Sequence, residues 1–421
     1  MGKNCPVFPA LASFKPAGVA EAATWSAVGR SITADPAEDG GHRPPLQLFE
    51  RYLYRRASGP FAFWAWYTQC PRMQTEPLTE RGVIRWGIIG CGDVTEVKSG
   101  PGFQRADGSQ LVAVMRRQAA LAADYARRHG VPRWYDNAEA LIHDPEVDAV
   151  YVATPPETHA HFALAVAAAG KPAYVEKPMA RHTPECDEMV TAFARGGQKL
   201  FVAYYRRCLP RFVLVQELLA AGALGRVTGV RYHWATPAHR ETGPAWRLDA
   251  AKAGGGLFLD VGSHVLDLLD FLLGPLTDVA GTAANLASSH PVEDTVAMSF
   301  RTGSGALGTA HWNFASALRD DLLELRGTEG SLRFSVFGGE PVQLETAAGV
   351  QLFDRPHPPH VQQPLIQAVV NDLLGRAACP STGESARRTT QVMDRVLAEF
   401  YGGRADEFWA RPTTWPGNQR R

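Results

Sequence analysis

Between Val83 and Tyr204 apolar runs and helical periods take turns, and this alternation constrains the chain more than any other feature. VIRWGII (83–89) is an apolar run that ends at Gly90, and QLVAVM (110–115) is a second. QAALAADYARRH (118–129) carries helical spacing and stops at Gly130, a favoured C-terminal cap. RWY (133–135), the short helix AEALIHD (138–144), DAVYVAT (148–154), the alanine-rich HAHFALAVAAAG (159–170) and KLFVAY (199–204) continue the pattern. A strand-helix repeat of this kind predicts a doubly wound α/β domain, a parallel sheet with right-handed crossovers.

After Tyr205 the pattern changes. One helix, LPRFVLVQELLAAG (209–222), precedes RVTGVRYHWA, DTVAMSFR, GALGTAHWNF, DLLELRG and SLRFSVF, strands joined by short glycine turns. This order predicts an α+β domain with an open, mostly antiparallel sheet and helices on one face. Ser381-Thr382-Gly383-Glu384 reads as a capping box for a helix running to Phe400. The expected division is therefore an extension over 1–80, a dinucleotide domain over 81–204, a substrate and oligomerisation domain over 205–401, and a tail over 402–421.

The first 80 residues are rich in proline and show no sustained period, so a disordered extension, or translation starting at Met73, is the expectation. N-terminal sequencing of the native protein decides between them. Arg55-Arg56 ahead of a short aromatic patch imitates a twin-arginine signal, but no small-residue cleavage site follows.

Lys+Arg and Asp+Glu both number 43, so no net positive field points to nucleic acid or an anionic membrane surface. No apolar run reaches the roughly 18 residues of a membrane-spanning helix. Six scattered cysteines without a CxxC fit a cytoplasmic protein with no structural metal. A small molecule is the expected partner.

The chemistry begins where the first strand runs into Gly90-Cys91-Gly92-Asp93-Val94-Thr95. Two glycines at this spacing permit a tight turn and let the backbone approach a pyrophosphate at a helix N-terminus. Taken alone, the pattern is also an ordinary strand-to-helix turn. Thr95 stands where the fingerprint has glycine or alanine, and Gly100-Pro101-Gly102 must cut the following helix short. At the end of the second strand, where NAD enzymes place an acid for the ribose, this chain has Arg116 and Arg117. An arginine pair suits a 2′-phosphate, which favours NADP(H) and leaves NAD(H) as the alternative.

Thr154, Pro155 and His159 follow the fourth strand, at the carboxyl edge where open α/β sheets bind ligands. Histidines at such positions, His159 and His161 here, are more often on a helix surface than bound to metal. Glu176-Lys177-Pro178 ends the next strand on the same edge, where an ammonium can polarise a substrate hydroxyl. Asp260 and His264 are four residues apart, a spacing that puts both on one face of a helix, the carboxylate beside the imidazole. A histidine is the natural general base at neutral pH. Tyr205, Arg206 and Arg207, with Trp246 and Arg247, are the candidates to line a substrate pocket.

GIIGCGDV, ATPPETHAH, VEKP and GGGLFLDVGSHVLDLL, in this order over roughly residues 83–400, resemble the Gfo/Idh/MocA family of nicotinamide-dependent oxidoreductases. The resemblance implies an N-terminal Rossmann domain and a catalytic set of Lys177, Asp260 and His264. It implies a C-terminal domain whose open sheet often mediates dimers or tetramers, and a sugar, inositol or related polyol as substrate. A non-catalytic cofactor-binding regulator, and an oxidoreductase of dihydrodiols or aldehydes, are the competing readings.

Overall fold

The computed structural model describes residues 77–237 and 245–419. The leader and its arginine pair lie outside the described residues. The first sheet is built from β1 (Ile84–Ile89), β2 (Ser109–Met115), β3 (Arg133–Tyr135), β4 (Ala149–Val152), β5 (Ala173–Val175) and β6 (Leu200–Val202). Their order is β3-β2-β1-β4-β5-β6, and every pairing is parallel. β4, β5 and β6 are buried at every position, because helices cover both faces of a parallel sheet and no face is left for an alternating polar residue.

The covering helices are α1 (Asp93–Val97), α2 (Gly100–Arg105), α3 (Ala119–His129), α4 (Ala138–Ile142), α5 (His159–Ala168) and α6 (Thr183–Gly196). As the Gly-Pro-Gly stretch requires, the first helix ends at Val97 and a second starts at Gly100. The strand order reverses between β1 and β4, and the crevice at their carboxyl ends is where such sheets hold a ligand.

The second half carries α7 (Pro210–Ala220), β7 (Val227–Pro237), α8 (Ser263–Leu273), β8 (Thr277–Ala284), β9 (Thr295–Arg301), β10 (Leu307–Ser316), β11 (Asp320–Gly327), β12 (Gly330–Phe334), β13 (Val342–Thr346) and β14 (Gly349–Phe353). These eight strands form a sheet in the order β14-β13-β12-β11-β7-β10-β9-β8, antiparallel except where β7 meets β10. β10 alternates buried Ala310, Trp312 and Phe314 with more exposed Thr309 and Asn313, as expected of a sheet packed on one side only.

Two late helices connect the halves. α9 (Gln363–Leu373) puts Leu365, Ile366, Val369 and Val370 into the same apolar cluster as Trp86, Phe103 and Tyr174 of the first sheet. α10 (Gly383–Tyr401) contributes Ala386 to the cluster on the other face of that sheet and Val392, Met393 and Val396 to the core of the second. Its cap is one residue later than expected: Thr382 accepts from the Ser385 amide, while the Ser381 hydroxyl donates to Val202 O at 2.7 Å. The segment after Tyr401, expected to be a tail, folds back, and Phe408 and Trp415 are buried against Tyr401. Among the described residues, no helix is long and apolar enough to cross a membrane.

Candidate active site

The glycine loop joins β1 to α1. Gly90 has φ +91°, and a Cβ there would stand 2.8 Å from Thr154 Cγ2. Gly92 differs: a Cβ would meet nothing nearer than Gly90 O at 3.9 Å, so this protein's own packing does not demand glycine. The open side of Gly92 is a cradle that a side chain would fill and a pyrophosphate fits. Thr95, the departure from the fingerprint, is buried and locks the loop, its hydroxyl accepting from Gly92 N at 2.9 Å and donating to Gly92 O at 2.8 Å. Asp93 is exposed and Val94 half-buried beside it.

Arg116 and Arg117 are exposed at the end of β2, and neither side chain forms an ion pair or hydrogen bond among the described residues. Thr154 and Pro155 are half-buried on the neighbouring strand end. His159 is not on the helix surface. It is fully buried, with Nε2 2.7 Å from Thr154 O and Nδ1 3.0 Å from Pro178 O, and so ties the two strand-end turns together. Burial lowers its pKa below 6.5, against the pull of the two carbonyls.

Glu176 and Lys177 are neighbours in the chain with separate side-chain partners. The buried Glu176 carboxylate accepts from Tyr151 Oη at 2.5 Å, Gln362 Nε2 at 2.6 Å and Lys177 N at 3.1 Å. These donors replace the water it has lost. The Lys177 ammonium instead bonds Asp260 Oδ1 and Asp260 O, the second at 3.1 Å. Arg247 Nε holds the other carboxylate oxygen at 3.1 Å and stacks its guanidinium 4.6 Å from the Trp246 ring centre. Burial alone raises the Asp260 pKa, but the two cations outweigh it and hold the carboxylate at about 2.

Asp260 makes no hydrogen bond with His264; Lys177 and Arg247 take its carboxylate instead. Residues Phe258–Gly262 form a turn of π-helix ahead of α8. His264 is 5% exposed, its Nδ1 has no hydrogen-bond partner, and its ring faces Tyr205 at 5.2 Å, Phe337 at 6.0 Å and Tyr204 at 6.1 Å. Burial first, then the charges of Arg206, Lys177 and Lys98, push its pKa well below 6.5. These effects keep the imidazole in its neutral form at pH 7.

Among the pocket candidates, Arg207 is structural. It is buried against Asp267 at 2.7 Å and Asp270 at 3.1 Å. The Arg206 guanidinium carbon lies over the Phe337 ring, 4.1 Å from its centre. Gln362, Lys98 and Phe337 were missed by sequence reasoning; Gln362 lies 186 residues from the glutamate it holds, and no local pattern marks it. No group of three potential metal ligands occurs among the described residues.

Residues 84–204 match the family described as "Oxidoreductase family, NAD-binding Rossmann fold", and residues 212–333 match the "GFO/IDH/MocA C-terminal domain". The chain is 37% identical over 317 residues to "Oxidoreductase P35" of Formosa agariphila, covering 74% of this chain and 97% of that protein. It is 34% identical over 252 residues to a 1,5-anhydro-D-fructose reductase of Ensifer adhaerens, covering 59% and 74%. In fold it matches a levoglucosan dehydrogenase solved with NADH and levoglucosan, at a TM-score of 0.68 and 23% identity over 75% of this chain and 96% of that one. With both halves matched in order and a relative aligned over nearly its whole length, the protein belongs to the Gfo/Idh/MocA family of oxidoreductases.

Proposed function

We propose that this protein interconverts a hydroxyl and a carbonyl on a sugar or related polyol, with Lys177 and His264 acting on the substrate oxygen. The observation that carries this reading is the pairing of a neutral, buried imidazole with an ammonium held in place by Asp260. In the oxidative direction His264 accepts the hydroxyl proton, while Lys177 donates a hydrogen bond to the same oxygen as charge develops on it. Asp260 acts through Lys177 and Arg247 rather than through the histidine. The similarity to an anhydrofructose reductase supports a carbohydrate as substrate.

Gly90, Gly92, Asp93 and Val94 would hold the pyrophosphate of a nicotinamide dinucleotide, with Thr154, Pro155 and Lys177 along the same edge. When bound, this cofactor supplies the hydride donor or acceptor. We assign Arg116 and Arg117 to a 2′-phosphate and NADP(H) as the preferred form, on the two free guanidinium groups where an acid would select NAD(H). The four free cysteines among the described residues are compatible with a reducing cytoplasm.

The test is nicotinamide reduction with NADP⁺ and NAD⁺ across aldoses, anhydrosugars and inositols, with NADPH and NADH binding followed in parallel by tryptophan quenching. Turnover with NADP⁺ ahead of NAD⁺ is expected. NADH bound more tightly than NADPH would overturn the arginine assignment, and no reduction with any polyol would overturn the substrate class.

A further inference from the structure

The turn after β6 places two arginines side by side, both about equally buried, in opposite electrostatic situations. Arg207 is 5% exposed and sits on two aspartates. Arg206 is 6% exposed and forms no ion pair among the described residues. Its Nε donates to Val336 O at 3.2 Å, and Nη1 is buried with no hydrogen-bond partner.

Neither Asp321 nor Asp260 forms an ion pair with it. Asp321 accepts from Val336 N at 3.1 Å, Gly338 N at 3.2 Å and Tyr232 Oη at 3.2 Å, and Asp260 holds Lys177 and Arg247. A buried cation without a counter-charge is expensive, which makes an unpaired one evidence of something it waits for.

Arg206 and His264 share two aromatic neighbours. The guanidinium carbon lies 4.1 Å from the Phe337 ring centre and 5.1 Å from that of Tyr205, and the imidazole faces the same rings at 6.0 and 5.2 Å. Arg206 and the imidazole therefore pack on the same two rings. With Nε taken by a carbonyl and Nη1 enclosed, Nη2 is the nitrogen left to give a charge-assisted hydrogen bond to a carboxylate. Lys98 and Lys177 add positive charge around the same imidazole.

Building on the redox reading above, we propose that the substrate is an acidic sugar, and that Arg206 selects it by binding its carboxylate. Arg206 is thus a specificity residue, and the site discriminates a uronate from the corresponding neutral sugar.

The experiment compares D-glucuronate and D-galacturonate with their uncharged amides, which differ from the acids in charge and little else. The cofactor-loaded protein is assayed for both turnover and tryptophan-monitored binding. A preference in kcat/KM for acid over amide of about 10- to 100-fold, the worth of one charge-assisted hydrogen bond, is expected. The ratio falls toward one in Arg206→Gln and is partly kept in Arg206→Lys, which guards against a variant that merely misfolds. Equal rates on acid and amide, or a ratio that Arg206→Gln leaves unchanged, would overturn the proposal. So would preference for a hexose 6-phosphate over both uronates. If none of these compounds is oxidised, the redox reading fails on this class while the binding arm still decides: tighter acid than amide, lost in Arg206→Gln, upholds the carboxylate site, and equal binding ends it.

Discussion

His264 owes its protonation state to its surroundings rather than to a paired acid. Its unfolded imidazole takes up a proton as the pH falls through 6.5, whereas the buried one, facing Arg206, Lys177 and Lys98, does not. The contribution of this residue to stability is therefore complete above pH 6.5 and is lost as the pH falls below it. For activity the sign is the opposite of a simple histidine requirement. The base form persists below pH 6.5, so kcat/KM for alcohol oxidation should stay flat through that value; an acid limb with an apparent pKa at or above 6.5 would contradict this. At this scale the sequence pointed to candidate residues but not to whom they touch. The i,i+4 spacing of Asp260 and His264 suggests a pair, but it does not say that Lys177 and Arg247 take the carboxylate instead. Glu176 and Lys177 are adjacent in the chain, yet their side-chain partners, Gln362 and Asp260, come from distant parts of it.

The elements were more legible than their joints. Continuous apolar runs ended by glycine fix buried parallel strands, because no polar residue is tolerated on either face. The joint between α1 and α2 was legible only as a break. Gly100 is required there because a Cβ would lie 2.1 Å from Thr95 O and 2.5 Å from Tyr125 Oη, which itself donates to Thr95 O at 2.9 Å. Gly100→Ala should push α2 off the glycine loop, destabilise the protein by about 1–3 kcal/mol and weaken NADPH binding. A thermal melt and a cofactor titration check it, and an unchanged Tm would show that the loop has more room than its packing indicates. Thr95 illustrates why a motif departure is hard to judge from sequence: it replaces a glycine that serves close packing, yet its own hydroxyl secures the turn.

Across the whole molecule, the halves depend on each other in a way their sequence order conceals. α9 comes after the second sheet but covers the first, and the segment after Tyr401 closes the core of the second. Nothing in a local pattern of polar and apolar residues says which of two sheets a helix will choose. Trp415 is 1% exposed, packs edge-on to Tyr401 at 4.6 Å and donates its indole N–H to Phe408 O at 2.9 Å. Trp415→Ala should destabilise the protein by about 3–5 kcal/mol in denaturant titration, against no measurable change for a loose tail. The central claim, that Lys177 acts on the substrate oxygen, is tested most directly by single-turnover nicotinamide reduction in Lys177→Met with cofactor binding measured on the same preparation. A fall of about 100-fold or more at near-normal cofactor affinity is the expected result, and a rate within a few-fold of the unmodified enzyme would remove the lysine from the chemistry.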